Sequence, residues 1–71
     1  MKRMVDFAIE YEGGTYSTAL ILEETPKVDE TLKIEIEGSS RLVKVDGVFD
    51  PVFFEGSIRT PIHCHTIDGK V

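Results

Sequence analysis

Seventy-one residues with a net charge of −5 and a single cysteine allow one small domain, whose core contributes on the order of 3–5 kcal/mol. One cysteine excludes an internal disulfide and a four-cysteine zinc site, so the expected reinforcement is good packing or self-association, with a homodimer favoured. Cations are outnumbered and form no basic cluster, which excludes the usual electrostatic footprint of a nucleic-acid binder.

Residues 1–71 read as a single small β-barrel domain. Lys2 and Arg3 resemble the start of an export signal, but Asp6 and Glu10 interrupt any apolar run that could follow. No stretch approaches a membrane span. With one unpaired cysteine, the expectation is a soluble, cytoplasmic protein.

The first periodic segment alternates Val5, Phe7, Ile9 and Tyr11 with Asp6, Ala8, Glu10 and Glu12. After Gly13-Gly14, Tyr16, Thr18, Leu20 and Leu22 alternate with Ser17, Ala19 and Ile21. Period two over two runs joined by two glycines predicts a hairpin with a two-residue turn at Gly13-Gly14. That turn sets Tyr11 opposite Tyr16, Ile9 opposite Thr18, Phe7 opposite Leu20 and Val5 opposite Leu22. The other face carries a stripe of Ala8, Ala19 and Ile21, which a second layer or a partner should cover.

A second hairpin is expected from Leu32, Ile34 and Ile36 and, beyond a loop, Val43 and Val45. A two-residue loop at Gly38-Ser39 would oppose Lys33 to Lys44. A four-residue loop, Gly38 to Arg41, instead opposes Glu35 to Lys44 and Lys33 to Asp46, each pair contributing about 0.2–1 kcal/mol. The four-residue loop is therefore the predicted one. Gly47 interrupts the second strand and marks a bulge or bend.

The next segment, VFDPVFFEG, holds Phe49, Phe53 and Phe54, three of the four phenylalanines, with a turn signal at Asp50-Pro51. Alternation allows Phe49 and Phe53 on one side and Phe54 on the other, so one small core cannot take all three. The last segment, SIRTPIHCHTI, places Ile58, Ile62 and Cys64 on one face and Arg59, His63 and His65 on the other. Pro61 cannot donate to a ladder, so this strand is expected at an edge or broken in the middle.

The resulting fold class is all-β: a small antiparallel SH3-like or open β-barrel of about five strands, built from two hairpins and a C-terminal edge strand. The stretch PKVDETLKIEIEGSSRLVKVDGV, Pro26 to Val48, resembles the proline, turn, strand, loop, strand pattern of small SH3-like β-barrel proteins. Many of those chains lead in with a Pro-x-Val-Gly-Asp turn, and here Asp29 stands where that glycine usually does. Aspartate tolerates positive φ better than most residues. The resemblance implies a fold and no activity.

Chemistry could reside in His63-Cys64-His65. A cysteine nucleophile needs a histidine within reach of its sulfur, yet strand neighbours point to opposite sides of a sheet. Cys64 is therefore expected as a small buried hydrophobe. His63 and His65 share a face, with Cα atoms roughly 6.6 Å apart, and could both ligate zinc or another divalent metal. A third ligand would have to be an Asp or Glu, or come from another subunit. The simpler reading is two exposed strand histidines. Glu10/Glu12 and Glu35/Glu37 pair on outward faces and read as solvated.

No catalytic residue and no obligatory cofactor are assigned. The favoured function is a non-enzymatic protein-interaction module, acting as a homodimer through Phe49, Phe53 and Phe54 and the Ala8, Ala19 and Ile21 stripe, since aromatic residues are enriched at interface centres. A metal-binding protein or small metalloenzyme using His63 and His65 is the first alternative. The second follows from residues 1–38, which hold four cations against nine acids: an acidic inhibitor mimicking nucleic acid toward a basic partner.

Overall fold

Three Glu-Gly dipeptides set the architecture. In the computed structural model, which describes residues 3–68, Glu12-Gly13, Glu37-Gly38 and Glu55-Gly56 all have positive φ at both positions (49° and 79°, 50° and 86°, 50° and 80°). That is the φ signature of a type I′ turn, whose twist matches the strands it joins. The turns connect β1 (Arg3–Tyr11) to β2 (Gly14–Leu22), β3 (Thr31–Ile36) to β4 (Ser39–Val48), and β5 (Val52–Phe54) to β6 (Ser57–Thr66).

The chain is all-β, and its sheet curls into an open half-barrel in the order β2-β1-β6-β4-β3, with β5 added to β6. No helix among the described residues is long and apolar enough to cross a membrane.

Both expected hairpins form, with registers that differ from those expected. Tyr11 pairs with Gly14, Ile9 with Tyr16, Phe7 with Thr18 and Val5 with Leu20. Only Gly13 lies in the turn, and Gly14 is already strand. In the second hairpin the four-residue loop is replaced by the turn at Glu37-Gly38. Ile36 then pairs with Ser39, Ile34 with Arg41, Lys33 with Leu42 and Thr31 with Lys44. Every such change is a shift by an even number of residues, which keeps each side chain on its face. The hydrophobic pattern therefore cannot distinguish these registers, and turn geometry decides them. Lys33 also escapes Lys44 without needing Asp46.

The last strand is central rather than at the edge. It runs parallel to β1, with Val5 beside Thr60, Phe7 beside Ile62 and Ile9 beside Cys64, and antiparallel to β4, with Val45 beside Cys64. Pro61 is tolerated for a local reason. Its carbonyl accepts the Phe49 N–H at 3.0 Å, so its nitrogen faces the same side. There the partner of β6 changes from β5, which pairs with 57–59, to β4, which pairs with 62–66. Phe49 lies just past the end of β4, so the reciprocal bond that Pro61 cannot donate falls at the end of that ladder.

The concave face holds the core: Val5, Phe7 and Ile9 of β1, Ile34 and Ile36 of β3, Val43 and Val45 of β4, and Ile62 and Cys64 of β6. Tyr11, Tyr16, Leu20, Leu22 and Leu32 flank it from the outer strands. Asp29 has φ 75°, the left-handed conformation expected where an aspartate replaces a turn glycine. Its N–H donates to the Val45 carbonyl at 2.9 Å, tying the 23–30 loop to β4.

Near the other end of β4, Arg41 lies between Glu12 (3.4 Å) and Asp68 (3.1 Å), with its guanidinium 6.0 Å from the Tyr11 ring centre. The Leu42 N–H donates to Asp68 Oδ2 at 2.9 Å. That amide holds the Asp68 carboxyl below the usual range, partial desolvation opposes it, and Arg41 adds to the lowering.

Two predictions follow from these contacts. Gly13→Ala should cost about 1–2 kcal/mol by urea denaturation, because alanine is strained at positive φ. Gly14→Ala should be near neutral, since a Cβ there meets only Tyr11 O at 3.9 Å; equal losses would return the turn to Gly13-Gly14. A lowered carboxyl contributes stability that is present above its unfolded value, about 3.9, and lost as pH falls through the lower folded value. Asp68→Asn should therefore flatten the stability–pH curve below about pH 4 and leave its slope unchanged near neutrality.

Candidate functional site

The outer face of β6 collects the chain's titratable side chains. Register slips between Val45 and Gly47, with Val45 beside Cys64 and Gly47 beside His63, so Asp46 is the extra residue of a β-bulge. Gly47 thus marks a bulge, as its sequence position suggested. Asp46 faces both histidines. Its carboxylate lies 2.8 Å from His65 Nδ1 and 3.4 Å from His63 Nδ1, while His63 Nε2 is 3.6 Å from Glu10 Oε2.

His63 and His65 do share a face, as period two required, and both rings are half-exposed. Their Nδ1 atoms converge on a carboxylate. Among the described residues no group of three or more His, Cys, Asp or Glu side chains is arranged to hold a metal ion. His63, His65, Asp46 and Glu10 are the donors nearest to forming one.

Cys64 points the other way, into the core, and is fully buried. Burial, with a smaller contribution from the Asp46 charge, pushes its thiol up to about 11. A thiol that is neither exposed nor ionised near neutral pH is a poor nucleophile. Farther along the same outer face, Arg59 grips Asp6 through Nη2–Oδ1 (2.7 Å) and Nε–Oδ2 (2.9 Å). The hydrogen bond to Asp6 raises the guanidinium pKa. This pair ties β6 to β1 at the end that leads into the β5 hairpin.

The aromatic and small apolar residues expected to act together fall into separate places. Phe49 folds back over Gly47, its ring 3.6 Å from where a Cβ would stand. With Ala8, Ala19, Pro61 and His63 it lines a groove of about 440 Å³. Phe53 and Ile21 line a different groove of about 750 Å³, with Met4, Pro51 and Ile58. Phe54 lies on the opposite face of β5 from Phe53, because Phe53 pairs with Ile58 and Phe54 with Ser57.

Residues 51–58 are all exposed, with Phe53 at 75%, Ile58 at 65% and Phe54 at 54%. Ile58 has the same parity as core residues Ile62 and Cys64, but it lies past Thr60, where the buried part of β6 begins. Parity alone could not reveal this. Asp46 was equally invisible as a histidine partner, because alternation places it on the outer face but does not show that β4 lies beside β6.

No family model, curated protein or solved structure matches the chain. The site must therefore be read from its own geometry. A thiol reagent should leave Cys64 unmodified in the folded protein at pH 8 and label it quantitatively in denaturant. Fast native labelling would show that Cys64 is accessible and reopen the nucleophile reading.

Proposed function

We propose that this chain is a non-enzymatic protein-contact module whose working surface is the β5–β6 hairpin. The observation that carries the reading is the exposure of Phe53, Phe54 and Ile58 on both faces of a hairpin whose strand β5 pairs, among the described residues, only with β6. Fully burying one such side chain stabilises by about 1.5–3 kcal/mol. For a chain with a core this small, that is a large gain left for a partner.

The composition of the patch supports the same reading. Phe53 and Phe54, on the two faces of the hairpin, expose 75% and 54% of their surface, which at about 200 Å² per ring amounts to roughly 260 Å². Apolar patches of a few hundred Å² on small proteins are commonly functional. Glu55 and the Arg59–Asp6 pair supply a charged rim around an aromatic centre, the usual anatomy of an interface.

Phe53→Ala and Phe54→Ala should weaken assembly or partner capture, read by light scattering and cross-linking, while urea melts shift by less than about 1 kcal/mol. Phe7→Ala, the buried comparison, should cost about 3–5 kcal/mol. Unchanged assembly and capture in both surface variants would overturn the reading, as would a core-sized stability loss in either.

A further inference from the structure

Strand β5 is short and, among the described residues, pairs only with β6. In the hairpin closed by Phe54 and Ser57, hydrogen-bonding residues alternate along the ladder. Val52 and Phe54 direct their main-chain groups to β6, and Phe53 directs its N–H and carbonyl away from it. A strand end with an unsatisfied donor and acceptor, flanked on both faces by exposed apolar side chains, is a template for another strand.

We propose that the occupant is a second copy of this chain, paired antiparallel along β5 about a two-fold axis at Phe53. This rests on the contact-module reading and names the partner. The strand is self-complementary in that arrangement. Phe53 exchanges two main-chain hydrogen bonds with the partner's Phe53, and Val52 stands opposite the partner's Phe54. Pro51 falls opposite the partner's Glu55, so no two like charges oppose each other directly. This matters for a chain carrying −5, because like charges directly across a sheet are destabilising. Pro51 also lacks an N–H, which ends the ladder after a few residues and favours a closed pair over a growing sheet.

Area sets the strength. Phe53 and Phe54 expose about 260 Å² between them at roughly 200 Å² per ring, and Val52, Ile58 and Ile21 are 49%, 65% and 61% exposed. Together these bring the apolar surface to roughly 500 Å² per copy. A standard interface buries about 800 Å² per partner, and weaker encounters less. The pair thus belongs to the weak class, with dissociation in the micromolar range. Both faces contribute: Phe53 and Ile58 on one, Val52 and Phe54 on the other.

Sedimentation equilibrium of the full chain, together with Phe53→Glu and Phe53→Lys variants, tests this. Position 53 is largely exposed, and circular dichroism would verify that both variants fold. The wild type should pass from monomer to dimer over tens of micromolar. Each variant alone should dimerise at least about 100-fold more weakly, because two like charges then meet at the axis. An equimolar mixture of the two variants should recover a heterodimer, a result that only self-opposition of position 53 produces.

A wild type that stays monomeric to millimolar concentration, or a mixture that recovers nothing, overturns the proposal. So does a dimer lost on Ser17→Glu but not on Phe53→Glu, which would place the contact on the uncharged edge of β2. A monomeric wild type that still loses partner capture on Phe54→Ala would remove the second copy as the occupant while leaving the contact module standing.

Discussion

The parallel pairing of β1 with β6 is the constraint on which this fold depends. Each of the two long hairpins has one apolar face and two strands, and a two-stranded unit is marginal alone in water. Strand β6 lies between them and places Ile62 beside Phe7 and Cys64 between Ile9 and Val45, so the two faces become one core. Joining strands from opposite ends of the chain closes a long loop, but the closure entropy grows only logarithmically. Each doubling of loop length costs about 0.6 kcal/mol, less than the gain from burying one such side chain. The larger cost is kinetic, because non-local pairing slows folding.

The same strand creates the exposed surface. Along its length β6 pairs first with β5 and then with β4, and Pro61 stands at the changeover, where its missing donor forgoes one bond at the end of the β4 ladder. Beyond that point the sheet continues and the core does not. Thr60 is the first buried residue of β6, while Ser57 and Ile58 are open to solvent. The hairpin extends a ladder that has lost its supporting layer, so both of its faces stay uncovered. Its phenylalanines are exposed as a direct consequence of where β1 and β4 stop supporting β6.

Legibility in the sequence followed the strength of each physical signal. Period two separated inner from outer residues along β1 and the inner half of β6: Val5, Phe7 and Ile9 are buried, and so are Ile62 and Cys64, while Ile58 of the same parity is exposed. Register was less legible, since even shifts leave faces unchanged and the charge pairs weighed for β3 and β4 amount to only a few tenths of a kcal/mol each. The deciding signal was the thrice-repeated Glu-Gly dipeptide. Gly13-Gly14 drew attention instead, because two adjacent glycines satisfy the same turn rule at a position one residue later. Pro61 points to an edge strand, yet it stands where β6 changes partner, so its missing N–H falls at the end of the β4 ladder and β6 is central. The Asp46–histidine contacts were not legible, because they need β4 beside β6, and alternation does not reveal which strands are neighbours. Asp29, a residue type that tolerates positive φ, does adopt one.

Magnitude separates the two surfaces of β6 as candidates for function. The His65–Asp46 hydrogen bond is half-exposed, and a pair of that kind contributes about 0.5–1.5 kcal/mol net. It orients two imidazoles onto a carboxylate and brings in no further histidine or cysteine side chain. Phe53 and Phe54 together carry unrealised burial of about 2–4 kcal/mol after allowing for their partial exposure, comparable with the whole expected stability of a domain this small. An apolar term of that size stands where no second layer covers the hairpin among the described residues. The outer histidine face is already satisfied by its own neighbours. The exposed side chains of the hairpin are not covered by any described residue, which is why the proposed contact reading rests on β5 and not on His63-Cys64-His65.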